Sequence, residues 1–130
     1  MGMILDTCFV IAAEREGRKH SDGDAIRFLT THPLERFHIT FTISGELACG
    51  NSANARKYWE LLCKPFHILQ WNREISWTYC NIYRDLSDSG NLIGTNDMWI
   101  AATALVYDMD LVTRNLKDFH RVKNLRVVEF

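Results

Sequence analysis

Proline is scarce, with two residues in 130, and no Pro/Ser-rich or low-complexity tract interrupts the chain. No linker is therefore expected, and residues 1–130 read as a single domain. With 47% hydrophobic and 24% charged residues there is enough apolar side chain for one packed core, which excludes a disordered or fibrous chain. Charge of one sign is also missing. Fifteen Lys and Arg stand against sixteen Asp and Glu, so no global basic field holds a polyanion, and any nucleic-acid contact must use a local patch. No apolar run approaches the roughly 18 residues needed to cross a bilayer, and Met1-Gly2-Met3-Ile4-Leu5-Asp6 turns acidic too early for a secretory signal. The expectation is a cytoplasmic protein with no membrane partner. Cys8, Cys49, Cys63 and Cys80 contain no CxxC pair and sit among apolar or helix-forming neighbours, so they read as buried free thiols. The five histidines show neither HxxxH nor zinc-finger spacing, and any metal here needs oxygen ligands.

What is present is an alternation of short apolar runs with helical stripes. Met3 to Leu5, Phe37 to Phe41, Phe66 to Leu69, Leu111 to Thr113 and Val127 to Phe130 have strand length and are rich in Ile, Val, Phe or Thr. Between them, Ala25, Phe28, Leu29 and His32 share one helical face, Ala55, Tyr58, Trp59 and Leu62 a second, and Ile75, Tyr79, Ile82, Tyr83 and Leu86 a third. The stretch Glu14 to Asp24 reads as a polar loop. The segment Asn96 to Tyr107 opens on Asn96 as an N-cap, carries an acid in its first turn and is apolar almost all round, which predicts a buried central helix. Strands alternating with helices, the first apolar on both faces, define an α/β fold. Its sheet is parallel, of about five strands, with helices on both sides.

In such folds ligands bind beyond the carboxyl ends of the strands, so polar residues immediately after a strand are the ones to inspect. Asp6 ends the first strand, where it serves equally as a helix cap or as a functional carboxylate. Glu46 lies one turn into the helix after the second strand, in surroundings more apolar than a solvated face requires. Asp97 stands at the mouth of the buried helix, where the free N–H groups favour a carboxylate but loss of hydration demands a partner or a cation. Asn115 and Asp118 follow the Leu111 to Thr113 strand and offer two further oxygens. Carboxylates gathered at one end of a sheet repel one another unless a divalent cation lies between them. Magnesium, or manganese in its place, prefers such oxygens and keeps several waters. It acidifies water and neutralises charge on a phosphoryl group, which points to phosphodiester hydrolysis. With no suitably placed histidine to act as base, water activated at the metal is left as the nucleophile.

Ile4-Leu5-Asp6-Thr7, Ser44-Gly45-Glu46-Leu47, Asn96-Asp97-Met98-Trp99-Ile100-Ala101-Ala102-Thr103-Ala104 and Leu111-Val112-Thr113-Arg114-Asn115-Leu116-Lys117-Asp118-Phe119 together resemble the PIN domain, in particular its VapC-type toxins. The resemblance spans nearly the whole chain. It implies a three-layer α/β/α sandwich, a magnesium-dependent endoribonuclease activity and inhibition by a cognate antitoxin. By position, it makes Asp6, Glu46 and Asp97 the metal-site acids. It places Asn115 where many relatives carry a fourth acid, a departure that lowers the site's charge by one and favours a single cation. Thr7 and Thr113 would orient the carboxylates or a water, with Asp118 behind them.

The tail from Leu111 to Phe130 holds five basic side chains against two acidic ones, and Arg114, Lys117 and Arg121 in it are the candidate RNA contacts. Arg56 and Lys57 form a weaker basic pair. Four tryptophans are many for this size; core packing is the expectation for each, and the surplus of aromatics around Tyr58 to Leu62 and Trp77 to Tyr83 suits a homodimer face or a groove for the antitoxin. Two other readings compete with the nuclease. A non-catalytic PIN-like scaffold that binds RNA or protein would use the acids only as caps. A metal-dependent phosphatase on another α/β scaffold would want a second Asp two residues after Asp6, where Cys8 stands.

Overall fold

The computed structural model describes residues 2–50 and 55–130, so Met1, part of the N-terminal stretch read above, lies outside the described residues. The elements run β1 (Gly2–Leu5), α1 (Thr7–Arg18), α2 (Asp24–Thr31), β2 (Arg36–Thr40), α3 (Phe41–Ala48), α4 (Arg56–Cys63), β3 (His67–Leu69), α5 (Arg73–Asp88), α6 (Thr95–Tyr107), β4 (Asp110–Val112), α7 (Leu116–Phe119) and β5 (Val127–Val128). All five strands pair in parallel in the order β3-β2-β1-β4-β5, with β1 at the centre. The chain first moves outward from β1 through β2 to β3, then crosses back to β4 on the other side. Because parallel crossovers are right-handed, this reversal puts helices on both faces of the sheet. It also opens a crevice between the carboxyl ends of β1 and β4, the place where the two directions part.

The central strands are apolar on both sides: Ile4, Leu5, Ile39, Leu111 and Val112 are all fully buried. Against them α6 lays Ile100, Ala101, Ala102, Thr103 and Ala104, equally buried, and the small side chains let it approach the sheet closely. Thr103 satisfies its hydroxyl on the Trp99 carbonyl at 2.8 Å. Helix α5 covers α6 with Ile75, Ile82 and Leu86. Among the described residues no helix is long and apolar enough to cross a membrane.

Several boundaries differ from the sequence reading, each for a local reason. Phe41 starts α3 rather than ending β2, because the buried Thr40 hydroxyl accepts the Ile43 N–H at 3.1 Å and caps the helix there. Phe66 turns back onto the Cys63 carbonyl at 3.0 Å and stays outside β3. The polar stretch from Glu14 is not all loop: α1 continues to Arg18, helped by the Glu14–Arg18 pair at 2.6 Å. Glu16 also reaches forward to accept the Ile26 N–H of α2 at 2.9 Å. The cap of α6 is Gly94, with no side-chain cap bond, and Asn96 is committed elsewhere. Of the four thiols only Cys63 is buried; Cys49 is exposed at the end of α3, and all four are free. Trp71 and Trp77 are more than half exposed instead of packed in the core.

Candidate active site

Asp6 leaves the end of β1 and is 7% exposed. One carboxylate oxygen accepts the Thr7 N–H at 2.8 Å, which begins α1, and the other accepts the Thr113 hydroxyl at 2.7 Å. That second bond crosses the crevice from β1 to the end of β4, so the buried acid ties together the two strands between which the chain reverses. The Thr113 hydroxyl, itself fully buried, accepts the Asn115 N–H at 3.0 Å and so fixes the turn that carries Asn115. The Cys8 thiol lies 3.7 Å from Asp6 and donates to it weakly. Burial raises the Asp6 pKa above the ordinary carboxylate value. The hydrogen bonds from Thr113 and the Thr7 backbone oppose that rise, and the charge of Glu46 adds to it.

Glu46 projects from α3 toward the same crevice. The Thr7 hydroxyl donates to it at 2.6 Å and the Asn96 amide at 3.4 Å, so residues of α1 and α6 hold it from either side. Asp97, in the first turn of α6, accepts the Asn115 amide at 3.4 Å, and the same amide donates to Asp118 at 3.2 Å. Asn115 stands at the start of α7 yet makes no side-chain cap bond there. Asn96, in the first turn of α6, and Asn115, at the cap of α7, therefore both direct their amides at carboxylates. Burial, then the charges of Asp6, Glu46 and Asp118, push the Asp97 pKa up to about 6. No cationic side chain is among the causes.

The donor set therefore fits a hard divalent cation: three acids and an amide, electrostatically coupled, each steadied by neutral donors and left without a positive partner. Among the described residues no three His, Cys, Asp or Glu side chains converge tightly enough to coordinate one ion together. That is compatible with magnesium, which binds through one or two carboxylates and keeps much of its water.

The basic tail is largely engaged. Arg126 pairs with Asp108 and Asp110 at 2.8 and 2.6 Å, Lys123 with Asp85 at 3.2 Å, and Arg121 donates to the Asn91 and Leu92 carbonyls at 3.3 Å each. Lys117 is exposed. Arg114, directly after Thr113, lies with its guanidinium 4.4 Å from the Phe130 ring centroid and 3.3 Å from Asp24. The sequence reading overlooked Asn96 as a donor to Glu46 and Asp24 as a partner of Arg114. The first has a signal in hindsight, an Asn beside the motif acid; the second has none.

Thr113→Val is isosteric but removes the Asp6 donor and the Asn115 acceptor at a fully buried position. The expected loss is about 1 to 3 kcal/mol, measured as a lower urea midpoint. Thr113→Ser should retain most of the stability.

A family model described as the PIN domain matches residues 3–125. Ribonuclease VapC1 of Rickettsia felis is 35% identical over 136 residues, covering 98% of this chain and 96% of its own length. Ribonuclease VapC1 of Haemophilus influenzae is 30% identical over 125 residues, with 95% and 93% covered. Among solved structures, VapBC-1 from nontypeable Haemophilus influenzae matches with a TM-score of 0.80 at 28% identity over 99% of this chain and 98% of that one. VapBC2 from Rickettsia felis bound to a promoter DNA fragment shows the same fold, with a TM-score of 0.81 at 20% identity over 100% and 99%. The chain belongs to the PIN-domain family.

Proposed function

We propose that this chain is a metal-dependent endoribonuclease that hydrolyses RNA phosphodiester bonds as the toxin of a cytoplasmic toxin–antitoxin module. The observation that carries the reading is Asp97, whose pKa is raised by burial and by three neighbouring acids with no cation beside it. Asp6, Glu46 and Asp97 would hold the ion, one or two of them directly and the rest through its retained water, magnesium by preference with manganese as a substitute. When bound, it supplies neutralisation of charge on the phosphoryl group and acidifies nearby water. The protein's own residues do the positioning. Thr113 and Thr7 fix Asp6 and Glu46 through short hydrogen bonds, and the Asn115 amide takes the place of a fourth acid, which favours one ion over two. Asp118 shares that amide and so holds Asn115 in place beside Asp97. Arg114 and Lys117, exposed next to the crevice, serve the phosphates of the RNA. Arg121 is assigned instead to holding the loop before α6.

The exposed Trp77 and Tyr83 on α5 and Leu61 on α4 suit a homodimer face or the cognate antitoxin. In support, the relatives named above are called ribonucleases, and the similar solved structures are VapBC proteins. A non-catalytic scaffold would use these polar residues as caps, whereas Asn96 and Asn115 turn their amides to the acids. Purified protein freed of any bound antitoxin should cut a structured RNA in magnesium or manganese and stop when EDTA is added. Cleavage that survives EDTA would overturn the metal-dependent reading, and RNA binding without cleavage in either ion would leave the scaffold.

A further inference from the structure

Beside the acids, a groove of about 730 Å³ opens from Thr7 and Glu46 and runs between α3 and α6. Its walls include Phe41, Thr42, Asn96 and Trp99. The Phe41 ring stands edge-on to Trp99, with centroids 6.3 Å apart at 65°, and Trp99 is stacked on Tyr79 at 4.1 Å and 22°. Trp99 is thus held between Phe41 and Tyr79, and Phe41 and Trp99 form the aromatic wall of the groove. Among the described residues no lysine or arginine lines the groove, so nothing among them pairs with a phosphate there. Its lining is mostly apolar, with Thr42 and Asn96 adding polar side chains.

We propose that this groove is a nucleobase subsite, in which the base next to the scissile phosphate stacks against the Phe41 and Trp99 wall. The inference rests on the nuclease reading and deepens it. A phosphate at Asp6, Glu46 and Asp97 brings with it the sugar and base attached to it. Because the groove shares Glu46 and Thr7 with the acid crevice, that base lies at its mouth. Single-stranded RNA is recognised by aromatic stacking of unpaired bases with hydrogen bonds to their edges, and the groove offers both. The Tyr79 contact fixes Trp99 in advance, so little side-chain freedom is lost on binding. The consequence is a preference for an unpaired nucleotide at one side of the cut, set by Phe41 and Trp99 rather than by the acids.

The test uses a short oligoribonucleotide whose cut position has been located, with an abasic residue placed on either side of that position in turn. In the wild-type protein the abasic residue at one side should raise KM by about 5- to 150-fold, the range of one lost base stack, while kcat changes much less. In Phe41→Ala the intact oligonucleotide should already show the raised KM, the abasic residue should add nothing, and Phe41→Trp should restore the discrimination. Equal KM values for abasic and intact RNA in the wild type would overturn the inference, as would the same abasic penalty in Phe41→Ala. Should no RNA be cut, the nuclease reading fails. The subsite is then tested separately by equilibrium binding of the same oligonucleotides to metal-free Asp97→Asn protein. Weaker binding of the abasic RNA, abolished by Phe41→Ala, supports the subsite. Indifference to the base overturns it and leaves the groove to an apolar peptide.

Discussion

Asp97→Asn should abolish cleavage and at the same time make the metal-free protein more stable. The carboxylate is the most strongly perturbed acid of the site, raised to about 6 by burial first and then by Asp6, Glu46 and Asp118. Between the ordinary value of 3.8 and about 6, the folded protein keeps a proton that the unfolded chain has released. Stability therefore falls as pH rises through that window, and the full cost is present at neutral pH. Allowing for the partial solvent access of the group, that cost is about 1 to 2 kcal/mol. Asparagine removes the charge and can still meet the Asn115 amide through its own oxygen. The expected result is a melting temperature about 3 to 8 °C higher at pH 7 without metal, with the gain shrinking toward pH 4. Magnesium should stabilise the wild type and leave the variant unchanged, because only a ligand of the folded site shifts the unfolding equilibrium. Cleavage should fall by at least about 100-fold, since even residues that merely support a metal ligand cost 10- to 100-fold. A destabilised variant, or one still stabilised by magnesium, would show that Asp97 is a structural cap.

The second large effect separates two roles of Asp6. Its backbone-facing oxygen starts α1 through the Thr7 N–H, and its other oxygen takes the buried Thr113 hydroxyl. Asp6→Ala loses both acceptors and should destabilise the protein by about 1 to 3 kcal/mol, the cost of a lost cap and a stranded buried hydroxyl. Asp6→Asn keeps an oxygen for Thr7, and its amide can donate to the Thr113 oxygen, so the fold should survive within about 1 kcal/mol. Both variants should lose cleavage by at least about 100-fold, because neither can supply a charged oxygen to a cation. Urea titration of the pair, read beside their activities, gives the distinction. If Asp6→Asn remains active, capping is the whole of its role.

Much of this was legible in the sequence because a parallel sheet imposes few alternatives. Short Val-, Ile- and Phe-rich runs predicted all five strands. The nearly all-apolar Asn96 to Tyr107 segment predicted the buried α6, since a helix without a polar face has to be covered. Asp6 drew attention because it follows the first strand, and the structure gives it the capping bond and the crevice contact together. What stayed hidden depends on partners distant in sequence. Asn96 and Asn115 look like helix caps, since asparagine caps through its oxygen, but the same side chain carries an amide that can donate; only the approach of α3 and α7 shows where the amides point. The basic tail reads as a +3 patch, but Asp85, Asp108 and Asp110 neutralise much of it across the fold. Large aromatics favour burial, which makes Trp71 and Trp77 read as core, yet Trp71 lies in the segment before α5 and Trp77 on the face of α5 turned to solvent.

The central claim is that a cation held by Asp6, Glu46 and Asp97 contacts the phosphate that is cut. It is tested most directly with RNA carrying sulfur in place of one non-bridging oxygen at the scissile phosphate. Sulfur is a poor ligand for magnesium and a better one for manganese. The account predicts that cleavage of one sulfur diastereomer falls by at least about 10-fold in magnesium and recovers in manganese, while unmodified RNA is cut in both. Equal rates for oxygen and sulfur at every diastereomer in magnesium, or a loss that manganese does not repair, would contradict it.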